Sequence, residues 1–319
     1  MRIHRSTWAL GSYAVIVFAF RFGFERTSVG QALGARLPYA FSSFALLLAP
    51  LWLFGFGAGE WLRERLAFLP GRALCGGLFV LPYVIFSIRG GQLQWTVAIL
   101  MAALPVALAG LLLSCRSANM SWQDVIVLAT LVAVYMLHVL AGAWNSGLAA
   151  LPKLYVADVT LYLYVVVRGL PGMGYSFLPR VSDLLIGFRE WLFFLPFGIG
   201  LGFALGFIHL HARWPSSMTV GASLLVTFVL IAIPEEMFFR GVLQNLLETR
   251  FSAVAALGIT AVLFGLSHFN KGAAFNWRYV LLASIAGIFY GRAWNSRHRI
   301  LASVLTHTAV DVAWSLWFR

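Results

Sequence analysis

The chain has 319 residues, of which 61% are hydrophobic and only 11% are charged, and its mean hydropathy is +0.86. Soluble domains carry about 25% charged residues, so this composition excludes an ordinary soluble protein and indicates a polytopic membrane protein. The net charge of +12 comes almost wholly from arginine and fits the positive-inside rule and contact with anionic lipid. No soluble basic module stands out, so we expect no nucleic-acid partner.

Apolar runs suited to membrane helices recur along the chain. About 20 apolar residues cross the hydrocarbon core as a helix, and in lipid a helix satisfies every backbone polar group internally. In the first half the runs cover residues 8–24, 37–59, 73–87, 95–114, 122–144 and the shorter 154–167. In the second half they cover residues 191–209, 218–250, 253–268, 277–294 and 300–318. The sequence therefore predicts an all-α integral membrane bundle with ten or eleven transmembrane helices.

A segment with crowded glycines and prolines, residues 169–190, separates the two sets of runs and is predicted to be a loop. We place the main boundary there, with N-terminal helices over 1–185 and a catalytic bundle over 186–319. The first region carries no motif that points to chemistry. The candidate chemistry is confined to the second.

The segment IPEEMFFRG, residues 233–241, places two adjacent carboxylates inside an apolar run. An ionisable side chain at the bilayer centre costs ~2.5–3.5 kcal/mol or more, so it marks a functional site by default. Pro234 can take the first position of a helical segment, where its missing N–H costs nothing. Glu236 and Arg240 then stand four apart in the favourable order for an ion pair, whereas Glu235 points roughly 100° away. We predict a structural role for Glu236 and a chemical role for Glu235.

Two further segments bring histidines to the same set of helices. FGLSH places Phe264 and His268 four apart, and HTAVD places His307 and Asp311 four apart on one helix face. Because 250–253 form a short link, Glu235 and His268 both lie roughly 25 Å from it and should be level. His307 lies only about 10 Å into its helix, so it joins that level only if the polar end of the 218–250 run protrudes into water.

Four side chains thus carry the candidate chemistry: Glu235, His268, His307 and Asp311. Peptide hydrolysis needs a base to activate water and donors for the oxyanion, and a carboxyl group in an apolar pocket has its pKa raised towards neutrality, which improves it as a base. The same four side chains are competent zinc ligands, although the zincin motif HExxH is absent. A proton relay or transporter uses similar residues, so the residues alone leave the class open.

The segments EEMFFRG, FGLSH and HTAVD resemble, in this order, the motifs EExxxR, FxxxH and HxxxN/D of a known family. This is the CAAX prenyl endopeptidase / bacteriocin-processing (CPBP, abortive-infection) family of glutamic-type intramembrane proteases. The resemblance covers roughly residues 191–318. It implies a peptide bond as the target and a lipidated or membrane-anchored protein as the partner.

The resemblance also implies roles for individual residues. Glu235 and His268 would activate the attacking water, and His307 and Asp311 would lie around the oxyanion. The supporting residues would be Glu236, Arg240 and Phe264. The last motif position is often Asn, but here it is Asp311, and an ionised carboxylate would repel an oxyanion. Asp311 must therefore be protonated or orient His307, and we favour the second role.

The sequence thus predicts an intramembrane endopeptidase that cuts near the membrane surface without a cofactor, with zinc kept as an alternative. Two other classes stay open, a non-catalytic membrane scaffold or immunity protein and a small-solute or proton transporter. The arginine-rich composition and short loops favour a bacterial inner membrane.

Overall fold

The computed structural model describes residues 2–90, 93–115, 117–144, 146–211, 214–272 and 274–318. These residues form twelve helices, and no strand occurs among them. The predicted all-α class is therefore confirmed. Contacts divide the chain into two compact units, Met1–Leu170 and Pro171–Arg319.

The first unit contains seven helices. They are α1 (Arg2–Phe24), α2 (Ser28–Phe56), α3 (Ala58–Arg65), α4 (Leu69–Ile88), α5 (Trp95–Leu113), α6 (Trp122–Met136) and α7 (Ala150–Val167). Helix α7 is the most enclosed of the apolar helices, and it packs against α2 and α6. Helix α6 ends eight residues before the predicted run does, and His138 just beyond it has a left-handed backbone with φ of 52°.

The second unit contains the remaining five helices. They are α8 (Val181–Ala204), α9 (Ser217–Glu248), α10 (Ala253–Leu266), α11 (Trp277–Asn295) and α12 (Ile300–Trp317). Helix α11 packs against α8, α10 and α12, and α9 packs against α10 and α12. Glycines allow the closest of these approaches, since a Cβ on Gly265 of α10 would meet the Val280 carbonyl oxygen of α11 at 2.4 Å.

By length and composition, eight of the described helices can cross a membrane: α1, α2, α4, α5, α7, α8, α9 and α12. Helices α6 and α10 are apolar but shorter. Helix α11 has 19 residues but carries Arg278 and Arg292 near its ends. The chain is therefore a multi-pass membrane protein, with eight clear spans where the sequence predicts ten or eleven.

The predicted loop over residues 169–190 is wrong in its second half, because α8 begins at Val181. The Asp183 carboxylate accepts the backbone N–H of Arg180 at 3.1 Å and so satisfies one donor at the helix start. Arg299 donates to both oxygens of Asp183 at 2.8 Å. About two turns further on, the buried Glu190 pairs with Arg292 at 2.9 Å. These arginines, which are distant in sequence, neutralise the buried acids and so allow a helix in a segment that the local sequence predicts to be a loop.

Helix α9 is irregular around the two adjacent carboxylates. A short α-helical segment, Ile233–Glu236, lies between two π-helical segments, Thr227–Ala232 and Met237–Gln244. Pro234 has no N–H to donate, and its ring clashes with the carbonyl of an ordinary preceding turn. The wider turns relieve that clash, and such turns are frequent at functional sites.

Candidate active site

The predicted ion pair on α9 is present and completely enclosed. Arg240 Nη1 lies 3.1 Å from Glu236 Oε1, and neither side chain is exposed to solvent. Arg240 Nη2 donates to the Gly287 carbonyl of α11 at 2.9 Å, and the guanidinium carbon lies 4.8 Å from the Phe264 ring centre. A buried pair offsets the desolvation of its charges only when such additional bonds are made. Phe264 therefore packs beside this ion pair, and its supporting role stays a prediction.

Glu236 has a second set of contacts that the sequence does not predict. His307 Nδ1 of α12 lies 2.7 Å from Glu236 Oε1, and Ser303 Oγ donates to Glu236 Oε2. Because carboxylate oxygens only accept, His307 Nδ1 carries the proton in this contact. Glu236 thus fixes the orientation of the imidazole as well as bracing α9.

The other ring nitrogen of His307 faces the two remaining acids. Nε2 lies 3.4 Å from Asp311 Oδ2 and 3.9 Å from Glu235 Oε2. Both ring nitrogens thus face carboxylate oxygens, an arrangement that an imidazolium satisfies because it donates from both. His307 is enclosed, whereas the side chains of Glu235 and Asp311 are 17% and 27% exposed. Among the acids of the cluster, those two side chains are therefore the ones partly open to solvent.

His268 lies in the turn just after α10, beyond the last residue of that helix. Its Nδ1 is 2.9 Å from the Phe264 carbonyl oxygen, which can only accept, so the proton lies on Nδ1 and Nε2 has a lone pair. Burial lowers the pKa of His268 below its usual value, and the Glu235 carboxylate partly opposes this. His268 is therefore neutral at neutral pH and able to accept a proton.

A cavity of about 90 Å³ opens beside these residues. A water molecule needs roughly 10–15 Å³ of such space together with polar partners, so several waters fit. Its walls are mainly apolar side chains of α8, α11 and α12. Its polar lining consists of His268, Tyr279, Tyr290, His307 and Asp311. Three of the four predicted catalytic residues therefore share one cavity, and Glu235 lies 3.9 Å from His307.

The four candidate zinc ligands do not form a metal-binding set. Within the described ranges, no group of three or more His, Cys, Asp or Glu side chains is placed to hold a metal ion. His307 Nδ1 faces a carboxylate at hydrogen-bond distance, and Nε2 faces two more. Metal-free hydrolysis stays a prediction.

Three residues of the site are absent from the sequence prediction: Ser303, and the two tyrosines of the cavity lining, Tyr279 and Tyr290. Ser303 precedes His307 by four positions, a spacing that places both on one face of α12 and is a usable signal. Both tyrosines lie on α11, where nothing in the local pattern distinguishes them from the neighbouring core residues.

The fold and the site define a multi-pass membrane protein with a buried acid–imidazole cluster. Residues 216–313 match the family model described as Rce1-like, type II CAAX prenyl endopeptidase Rce1-like. This segment contains all three motifs, so the resemblance is confirmed there, and it supports a membrane protease of the CAAX endopeptidase type. No curated protein matches the chain, and no solved structure does.

Proposed function

We propose that the protein is an intramembrane endopeptidase that hydrolyses a peptide bond near the membrane surface in a lipidated or membrane-anchored protein. The observation that carries this proposal is the shared cavity: a neutral His268 and the His307–Asp311 pair line it, with Glu235 3.9 Å from His307. We place the protein in a bacterial inner membrane.

In the proposed reaction, a water lies between Glu235 and His268 and attacks the carbonyl carbon of the substrate. Glu235 takes a proton from the water as the carbon–oxygen bond forms, because a carboxylate beside apolar walls is a stronger base than one in water. His268 shares that proton through Nε2 and then delivers it to the leaving amine as the carbon–nitrogen bond breaks.

The same geometry explains how charge is balanced during attack. The carbonyl oxygen becomes an oxyanion, and a cationic His307 offsets its charge. Asp311 and Glu236 hold that imidazole from its two nitrogens, at 3.4 Å and 2.7 Å. Asp311 is thus proposed to orient His307 and not to contact the oxyanion.

The apolar walls of the cavity suit an apolar substrate group next to the scissile bond. A prenylated tail is the substrate class that the family description names. We therefore choose a farnesylated peptide that ends in a CAAX sequence as the test substrate, with the full chain reconstituted in liposomes.

Cleavage, followed by mass spectrometry, is expected to fall by at least about 10²–10⁴-fold in Glu235→Gln and in His268→Ala, because general acid–base catalysis contributes that much. Glu248→Gln is the matched control, since it changes a glutamate near the polar end of the same helix. Unaltered cleavage in Glu235→Gln would remove the assignment.

In the same assay, chelation should leave the rate unchanged, and zinc near one per chain that tracks activity would overturn the metal-free chemistry.

A further inference from the structure

The candidate site holds more acceptors than free donors. Glu235, Glu236 and Asp311 are carboxylates, and both ring nitrogens of His307 already face them, at 2.7 Å and 3.4 Å on its two sides. An oxyanion that forms during hydrolysis needs preorganised donors aimed at it. His307 supplies charge, but its Nδ1–H already donates to Glu236 and its Nε2 faces the Asp311 carboxylate, so a further donor would complete the site.

Tyr290 of α11 is held rigidly in the right neighbourhood. Only 1% of it is exposed, and it lines the same cavity as His307 and Asp311. Its ring stacks on the His307 imidazole with centres 4.5 Å apart and planes 12° apart. The Phe264 ring meets it edge-on at 5.7 Å, and the Arg240 guanidinium lies 5.4 Å from its centre. These contacts fix the ring plane.

The hydroxyl of Tyr290 is the part that remains available. The backbone carbonyl of Tyr290 accepts a hydrogen bond from Ser303 Oγ at 2.9 Å. Among the described residues, the phenol oxygen has no hydrogen-bond partner, and this oxygen is not completely buried. A buried tyrosine usually finds a partner for its hydroxyl. Tyr290 lines the same cavity as Asp311 and the two histidines, so its free donor adjoins the residues that carry the candidate chemistry.

The second tyrosine of the cavity occupies a different place. Tyr279 lies against His268, with ring centres 4.9 Å apart, and against Trp314 at 5.5 Å. It therefore adjoins the base that handles the attacking water. Tyr290 instead stacks on His307, the cation that is proposed to offset the charge of the oxyanion.

We propose that Tyr290 is a catalytic residue whose hydroxyl donates a hydrogen bond to the substrate carbonyl oxygen as it becomes an oxyanion. The proton stays on the phenol oxygen throughout, so no bond to it breaks. The inference rests on the proposed function. It also explains how the site works with an aspartate at position 311, since the tyrosine supplies the donor that a carboxylate lacks.

The test is Tyr290→Phe in the full chain, assayed with the farnesylated CAAX peptide in liposomes. Phenylalanine keeps the ring stacked on His307 and removes only the hydroxyl, so a packing role predicts no change. The oxyanion role predicts that kcat falls by about 10²–10³-fold while KM changes little, as when one oxyanion donor is removed elsewhere. Tyr135→Phe is the matched control, because that tyrosine is 40% exposed in the first unit.

A phosphonate analogue of the same peptide provides a second measurement. Its anionic oxygen mimics the oxyanion, so Tyr290→Phe should weaken its inhibition by the same factor as kcat/KM. Unchanged kcat in Tyr290→Phe would overturn the inference, and so would a lower kcat with unchanged inhibition. Glu235→Gln is assayed in parallel. Suppose that the wild type cleaves the peptide, Glu235→Gln does not and Tyr290→Phe cleaves normally: then only the inference about Tyr290 fails. If the wild type does not cleave the peptide, both the proposed function and the inference about Tyr290 fail.

Discussion

The carboxylate of Glu236 joins three helices through its direct and indirect contacts. It pairs with Arg240 on α9, it accepts from His307 and Ser303 on α12, and Arg240 in turn donates to the Gly287 carbonyl on α11. The hydrogen bonds of such a buried network are stronger than they would be in water, and the loss of one member leaves costly unpaired groups. Its integrity therefore sets both the helix packing and the orientation of the candidate catalytic imidazole.

Removal of the guanidinium should show how much this network matters. We expect Arg240→Met to lower the free energy of unfolding by about 3–5 kcal/mol, because it leaves Glu236 buried with less compensation. Thermal or denaturant unfolding in detergent measures the change. Arg189→Met is the control: Arg189 is 48% exposed, and its partner Glu190 keeps Arg292, so the loss should stay within about 1 kcal/mol. Equal losses in the two variants would contradict a special role for the Glu236 network.

At this scale the sequence predicts contacts within a helix better than contacts between helices. The pairs Glu236–Arg240 and His307–Asp311 follow from a spacing of four, and both are present. The Glu236–His307 bond joins residues 71 positions apart. Helix periodicity gives the face of each residue but not which face of another helix it meets, so this bond could not be predicted. Because of this bond, Glu236, for which the sequence predicts only a structural role, also orients the imidazole of His307.

Among the elements, α10 and α11 approach each other most closely at glycine. A Cβ on Gly265 would lie 2.0 Å from Ser284 Oγ and 2.4 Å from the Val280 carbonyl oxygen. The serine side chain can move, but the backbone carbonyl cannot without moving α11. His268 follows Gly265 by three residues, so the spacing of these two helices also positions the candidate base.

We therefore expect Gly265→Ala to push α10 away from α11, to lower stability by about 1–3 kcal/mol and to reduce cleavage of the test peptide. Gly258→Ala on the same helix is the matched control, since nothing lies within 4 Å of an added Cβ there. The control should be neutral or slightly stabilising, because alanine favours helix over glycine by about 1 kcal/mol. Normal unfolding and normal cleavage in Gly265→Ala would show that the close approach does not matter.

The boundaries of the elements show where sequence patterns stop being informative. Apolar runs locate α5, α10, α11 and α12 to within a few residues, because hydrocarbon demands continuous apolar helix. The start of α8 is missed by ten residues, because Asp183 and Glu190 are polar in sequence but are neutralised by Arg299 and Arg292 more than 100 positions later. A prediction based on polarity alone therefore assigns such residues to a loop.

For the whole molecule, the candidate site belongs entirely to the second unit, Pro171–Arg319. The first unit has its own buried ion pair, Arg168 with Asp124 at 3.1 Å, and carries none of the three motifs. In the second unit, arginines gather where α8 begins and α11 ends, since Arg299 pairs with Asp183 and Arg292 lies in the last turn of α11. By the positive-inside rule, this end should face the cytoplasm.

That orientation makes a prediction about α11, which is not among the eight clear spans. Its 19 residues extend roughly 28 Å, about the thickness of the hydrocarbon core, and its arginines near the two ends can reach the interfaces. We expect α11 to cross the membrane.

In a background with Cys75→Ser and Cys115→Ser, a membrane-impermeant maleimide should label Arg297→Cys from the cytoplasmic side and Ala274→Cys from the opposite side. Both positions are exposed, so their burial does not limit labelling. If both are labelled from one side, α11 does not cross and the arginines do not mark a cytoplasmic end; if Arg297→Cys is labelled from outside, the unit is inverted.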